Sequence, residues 1–139
     1  MADTFELEVA TPERLVIREQ VTEAQIPAEN GMIGVLADHA PLLSLLGTGE
    51  LTYSTGGSQN SMAISGGWLE IRDNHVRVLA DKAEKASEID RARAEEALRR
   101  ARERLDAPAS VGVDVARALN AMKRAEARLA AAGVPARGR

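Results

Sequence analysis

The sequence predicts a β-sandwich or flattened barrel followed by a two-helix α-hairpin, an α+β chain in two parts. Three observations carry this. Short apolar–polar alternations broken by turn residues fill roughly the first 80 positions. A segment rich in Ala, Arg, Glu and Leu, with no Gly or Pro between Ser87 and Leu105, follows. Between them the charge reverses. Residues 1–84 carry 5 Lys/Arg against 13 Asp/Glu, a net of −8, and residues 85–139 carry 13 against 8, a net of +5. Such asymmetry between halves marks two units with different partners. The expected division is a β-unit over 1–85, a helical hairpin over 86–134 and a disordered tail over 135–139.

The strands follow in order. Phe5-Glu6-Leu7-Glu8-Val9 alternates with the period of a half-buried strand, and Thr11-Pro12 ends it. Arg14 to Ile17 begins a second short run. Val21 to Ile26 alternates imperfectly and is expected to stop at Pro27. Asn30-Gly31 is a turn signal before Met32 to Leu36. Leu51 to Thr55 and Ser61 to Ser65 flank the Gly56-Gly57 hairpin, while Trp68 to Ile71 and Val76 to Leu79 flank a second turn at Asp73-Asn74. Eight or more such strands suit a sandwich or barrel.

The helices carry their own punctuation. Ser87-Glu88-Ile89-Asp90 fits a capping box for the first helix, which should run to about Leu105. Asp114 is the expected N-cap of the second helix, which should end near Ala132 before Gly133 and Pro135. The expected apolar stripes are Ile89, Ala94, Ala97, Leu98, Ala101 and Leu105 on one helix, and Val115, Ala118, Leu119, Met122, Ala125 and Leu129 on the other. Burying a large side chain contributes about 1.5–3 kcal/mol and an alanine much less. Helices with so many alanines form readily but are held weakly to their neighbours.

Much chemistry is excluded. The chain has no cysteine, so thiol catalysis and cysteine metal sites are absent. His39 and His75 have no carboxylate at metal-ligand spacing, and a turn role for His75 and a loop-shaping role for His39 are favoured over catalysis. The Gly-Gly pairs lack the spacing and the Lys-Ser/Thr of a phosphate loop. No apolar run approaches the roughly 20 residues needed to cross a bilayer, and the acidic start does not read as a signal peptide. No catalytic and no metal residue is assigned.

The arginines are patterned. Arg93 and Arg100 lie seven apart on the first helix, and Arg117, Arg124 and Arg128 fall on one face of the second. Two readings follow. Either these are solvated faces with pairs one turn apart, or two Arg stripes bracket a polyanion such as a nucleoside triphosphate, which guanidinium forks suit. A nucleic-acid-binding module using the basic helices is the alternative function. The acidic first half and the lack of interleaved aromatics weigh against it.

The chain resembles the epsilon subunit of the bacterial F-type ATP synthase. The residues are Thr11-Pro12-Glu13-Arg14, the stretch Gly34-Val35-Leu36-Ala37-Asp38-His39-Ala40-Pro41-Leu42-Leu43, and Ser65-Gly66-Gly67-Trp68-Leu69-Glu70-Ile71 followed by Val76 to Asp81. The resemblance implies a sandwich of about ten strands followed by two helices, and a non-catalytic place in the rotor stalk. It implies contact with the gamma subunit and the c ring, peripheral attachment at the cytoplasmic face of the plasma membrane, and no insertion into the membrane. It also implies helices that either pack beside the sandwich or extend toward the alpha and beta subunits and inhibit ATP hydrolysis.

Some members of that family bind ATP on the helices through Ile/Leu-Asp-x-x-Arg-Ala, which Ile89-Asp90-Arg91-Ala92-Arg93-Ala94 matches in full. The resemblance therefore makes Glu84, Ile89, Asp90, Arg93, Ala94, Arg100, Arg117, Arg124 and Arg128 the nucleotide-site residues. Asp90 and Glu84 would receive adenine or ribose donors, and the arginines would face the phosphates. ATP is then a regulatory ligand rather than a required cofactor, and the sequence leaves open whether Mg²⁺ accompanies it. Met32 stands where the family has a loop facing the c ring, with an acidic residue usual there. With His39 of the signature stretch it forms the expected partner interface. Trp68 occupies a position where Phe is more usual, in the core or at an interface.

Overall fold

The computed structural model describes residues 3–133. Eight strands come first: β1 (Phe5–Ala10), β2 (Leu15–Val21), β3 (Glu23–Ala28), β4 (Gly31–Leu36), β5 (Leu42–Leu45), β6 (Thr48–Thr55), β7 (Ser58–Arg72) and β8 (His75–Lys85). A 3-10 turn at Ala86–Glu88 leads to α1 (Arg91–Asp106). A second at Ala109–Val111 leads to α2 (Val115–Ala131). The tail expected to be disordered lies outside the described residues.

All eight strands hydrogen-bond into one sheet of order β2-β1-β8-β7-β6-β3-β4, with β5 added along β7. β1 and β8 are parallel and every other pair is antiparallel. The β6–β7 and β7–β8 hairpins turn on two residues of positive φ, Gly56-Gly57 and Asp73-Asn74, whose twist matches that of the flanking strands. The sandwich core is Phe5, Leu7, Val9, Val21, Ile26, Leu51, Met62, Ile64, Leu69, Ile71, Val76 and Val78 with smaller neighbours.

The strand count is lower than the family resemblance implies because two expected strands are one. Ser61 to Ser65 and Trp68 to Ile71 belong to β7, which bends without breaking. Its first half pairs β6 along its length; its second half pairs β5. The bend sits at Gly66-Gly67, both at positive φ. A Cβ on Gly67 would collide with the carbonyl oxygen of Leu79 on β8, so only glycine lets the two backbones approach there.

Four further expectations need correction. β3 does not stop at Pro27 but runs to Ala28. Its pairing to β6 ends at Gln25, so the proline's missing N–H falls where no β6 bond is required. β5 was not expected at all, because Leu42-Leu43-Ser44-Leu45 shows no clear alternation. Met32 lies in strand β4, opposite Pro27, rather than in a loop. Finally, Ser87 does not cap α1. It sits in the 3-10 turn, where the Glu88 carboxylate accepts from the backbone N–H of Lys85 at 2.8 Å, and Asp90 caps α1 by accepting from Arg93 N–H at 3.1 Å. Asp114 caps α2 in the same way, accepting from Arg117 N–H at 3.1 Å.

The helices are folded back. α2 packs on β6 and β7, and α1 packs on α2. Ala94 and Ala101 are the only buried residues of α1. On α2, Ala118, Ala125 and Leu129 are buried as expected, and so are Ala127 and Ala131. Ala127 and Ala131 meet Ala63 of β7 and Ile89 in a small cluster separate from the sandwich core. Val115 and Leu119, expected in the stripe, are exposed.

Substituting Gly67→Ala should destabilise the sandwich by about 2–4 kcal/mol, from positive-φ strain plus the Leu79 clash. Gly56→Ala, whose Cβ would meet open space, should cost only about 1–2 kcal/mol. Thermal denaturation of the two variants checks the difference.

Candidate functional site

The proposed nucleotide residues fall into two groups. Glu84, near the end of β8, faces α2, and its carboxylate accepts from Arg128 Nε at 2.7 Å with both side chains half-buried. Arg124 lies one turn earlier on α2. These three line a narrow cleft between α2 and the β7–β8 ladder, together with Ser65 and Lys82. Ile89 packs at its edge against Ala127 and Ala131. Ala94 is buried against α2.

The others stand apart. Asp90 is engaged at the N-terminus of α1, Arg93 is exposed there, and Arg100 pairs with Glu96 at 3.6 Å. Arg117 is exposed at the first turn of α2. No described contact joins Arg93, Arg100 or Arg117 to the cleft. The cleft itself holds about 10 Å³ of free volume, the lower limit for one water.

Besides Glu84–Arg128, one polar contact ties the root of the hairpin to the sandwich and another closes the hairpin on itself. Arg14, in the β1–β2 turn, donates to Glu88 at 2.8 Å across 74 residues of sequence. The guanidinium of Arg91, in the first turn of α1, donates to the carbonyl of Ala132 at the end of α2, where free carbonyls favour a cation. The Glu88 carboxyl is held below the ordinary glutamate range, first by the hydrogen bond from Arg14 and then by that from Lys85 N–H.

The sandwich carries a second surface. Register places Leu45, Trp68, Leu79, Ala10 and Leu15 side by side across β5, β7, β8, β1 and β2. Leu45 is 39% exposed, Trp68 51%, Leu79 42% and Leu15 49%, so these strands present a continuous apolar row to solvent. The next row is Leu43, Glu70, Arg77, Glu8 and Arg18. There Arg18 reaches Glu8 at 3.5 Å and Arg77 reaches it at 4.0 Å. Trp68 is thus a surface residue and not part of the core.

Beyond that row, His75 meets the Glu6 carboxylate, because parallel pairing sets the two opposite each other. Glu6, Glu8 and His75 place three potential ligand atoms within 4.8 Å. The sequence concealed this, since the carboxylates lie about 70 positions from His75. Arg18 and Arg77 already neutralise the carboxylates, and the arrangement is a charge ladder across the sheet.

His39 makes the loop-shaping hydrogen bond expected of it, with its ring Nδ1 2.7 Å from the carbonyl of Ala40, and Asp38 and Asn74 clasp the same loop. Asp38 N–H donates to Asn74 Oδ1 at 2.6 Å, and Asn74 Nδ2 donates to Asp38 Oδ1 at 3.0 Å. Met32 is exposed on β4, and no described contact joins it to His39.

The class these elements define is a bent β-sandwich with one apolar outer row and a two-helix hairpin docked on β6 and β7. Residues 4–86 match the family model "ATP synthase, Delta/Epsilon chain, beta-sandwich domain", and residues 87–133 match "ATP synthase, Delta/Epsilon chain, long alpha-helix domain". The ATP synthase epsilon chain of Solibacter usitatus is 59% identical over 114 residues, covering 82% of this chain and 84% of that one. The epsilon chain of Carboxydothermus hydrogenoformans is 50% identical over 105 residues, covering 76% and 78%.

A chain in the structure of Euglena gracilis mitochondrial ATP synthase, OSCP/F1/c-ring, aligns with a TM-score of 0.78 at 26% identity, covering 93% and 81%. The chain belongs to the ATP synthase epsilon chain family, whose members are non-catalytic subunits of that complex. Among the described residues no helix is long and apolar enough to cross a membrane, as suits a peripheral subunit. The nucleic-acid alternative gains no support: all three aromatics lie in strands, and Arg128 is committed to Glu84.

Because Glu88 is depressed, its ion pair stabilises the hinge above the ordinary carboxylate range, and the contribution is lost as pH falls through its folded value. Protection of the amides at residues 85–90, corrected for the intrinsic pH dependence of exchange, should therefore fall as pH drops below the ordinary carboxylate range. Glu88→Gln should raise exchange at neutral pH and remove that acid-dependent step.

Proposed function

We propose that this chain is the central-stalk subunit that couples gamma to the c ring and restrains ATP hydrolysis through α1 and α2, with ATP sensed at the helices. Its place would be the cytoplasmic face of the plasma membrane. The observation that carries the reading is the apolar row Leu45–Trp68–Leu79–Ala10–Leu15. Monomeric surfaces seldom leave a Trp and three Leu aligned in water, and a row backed by a charge ladder suits a partner that needs both contact and register. Gamma is the partner assigned to this face. Met32 on β4 and His39 in the clasped loop are assigned to the c ring.

Regulation is supported by the helix packing. α1 buries only two alanines, so detaching it exposes little large apolar surface. Moving a two-state element from 1:99 to 99:1 needs a bias of about 5.5 kcal/mol. A ligand contacting only the docked form could supply part of that. The extended helices would then reach the alpha and beta subunits.

Two measurements test this. Trp68→Glu and Leu79→Glu should each weaken binding to gamma at least about tenfold while leaving thermal stability nearly unchanged, since both side chains are already in water. If both variants restore coupling and inhibition to an epsilon-depleted ATPase as well as wild type does, the docking face is elsewhere. For the nucleotide, calorimetry with ATP should show binding that Arg93→Ala and Asp90→Ser weaken. Serine keeps the N-cap while removing the carboxylate, which separates ligand loss from helix fraying. Affinity unchanged in both variants would remove these residues from the site.

A further inference from the structure

We propose that Arg14 is a latch that ties occupancy of the apolar row to the seating of the hairpin: a partner covering Ala10 and Leu15 strengthens the Arg14–Glu88 bond and so holds the root of α1 in place. The inference rests on the docking-face reading above, with gamma as the occupant, and adds a residue of the sandwich to the control of the helices.

The placement of Arg14 follows from a bulge. Val9 opposes Ile17 and Ala10 opposes Leu15, so the pairing of β1 with β2 slips by one and leaves Val16 without an opposite residue. Val16 and Ile17 are both buried, which shifts the alternation along β2 and brings Leu15 to the outer face. The turn between the strands therefore joins Ala10 to Leu15, the last two members of the row. That turn is closed by its own bonds. Thr11 N–H donates to the Arg14 carbonyl at 2.9 Å, and the Thr11 hydroxyl oxygen accepts from the N–H groups of Glu13 and Arg14 at 3.3 Å each.

The other end of the latch is fixed in the same way. Glu88 lies in the 3-10 turn between β8 and α1, and the carboxylate oxygen that takes the Arg14 guanidinium also accepts from Lys85 N–H. Ile89, the next residue, packs against Ala63, Ala127 and Ala131, and Asp90 then caps α1. Holding Glu88 thus holds the residue that seats the hairpin root and the residue that starts its first helix. Among the described residues this pair and Glu84–Arg128 are the ion pairs between sandwich and hairpin.

Water sets the strength of the bond. With the row uncovered, the Arg14 and Glu88 side chains are 45% and 36% exposed, and solvent screens their attraction. A partner that buries Ala10 and Leu15 also excludes water from the turn between them, and the attraction between charges rises as the surrounding dielectric falls. Desolvation works against this gain, but the pair stays hydrogen-bonded and Glu88 keeps its second donor at Lys85. The latch is therefore weak on the free chain and firm under a partner. By linkage the same coupling runs the other way, so a seated hairpin favours partner binding.

Amide protection at residues 85–90 and affinity for the purified gamma subunit, both measured on the full chain, test this. Gamma should raise wild-type protection there at least about fivefold, the lower end of ordinary allosteric coupling. Arg14→Ala and Glu88→Gln should each remove most of that gain and bind gamma more weakly by about the same factor. Arg14→Lys keeps the charge and should retain most of the gain. The turn itself survives Arg14→Ala, because its bonds are made by the main chain and the Thr11 hydroxyl. A merely structural role for the pair would lower protection equally with and without gamma. Wild-type protection unchanged by gamma, or a gain that persists in both variants, overturns the latch and leaves the docking face intact. An affinity loss confined to Arg14→Ala means that the guanidinium touches gamma itself, and it overturns the latch as well. Gamma bound by Trp68→Glu as tightly as by wild type removes the docking face and the latch together.

Discussion

The close approach of Gly67 to the Leu79 carbonyl is the constraint on which the other features depend. It lets β7 and β8, the two longest strands, bend together without losing their pairing. On one side of the bend the outward residues are Ala63, Ser65, Lys82 and Glu84, which receive α2. On the other they are Trp68, Glu70, Arg77 and Leu79, which face solvent. One strand pair thereby serves an internal partner with half its length and an external one with the other half. A sheet of regular alternation would have given both halves the same chemistry.

The hairpin is built to be separable. Each helix has its own Asp cap, and Arg91 of α1 closes the end of α2, so the unmet backbone groups at these termini are satisfied within the hairpin. Its contacts with the sandwich include a cluster of Ile89, Ala127 and Ala131 on Ala63 of β7, the packing of α2 on β6, and two ion pairs, Arg14–Glu88 and Glu84–Arg128. The Arg14–Glu88 pair is exposed and screened by solvent, so it fixes position only weakly, while Glu84–Arg128 is half-buried. Secondary structure in the hairpin is thus secured locally, while its place on the sandwich rests on few large side chains.

Much of this was legible from residue patterns. The two-residue hairpins, the charge reversal and the Asp114 cap are local signals, and each is found where its residues stand. What escaped was non-local. β5 has no period of its own and is a strand because β7 offers it an edge. The Glu6–His75 contact depends on parallel pairing between the first and last strands. The arginine spacing marked Arg124 and Arg128 as one face, but nothing local could show that Glu84 would occupy Arg128. Lys82 falls in none of the motifs quoted above. Its signal was the out-of-phase pair Asp81-Lys82 opposite a double glycine.

The reciprocal bonds between Asp38 and Asn74 bear on how the molecule carries load. They lash the loop after β4 to the turn where β7 reverses into β8. β8 then runs eleven residues without a break, about 35 Å along its path, to the 3-10 turn before α1. A push on the loop is shared with a continuous covalent strut whose far end is the root of the helices. The clasped loop and the root of the helices are therefore joined by one unbroken strand, so a displacement of the loop has a covalent route to the hairpin.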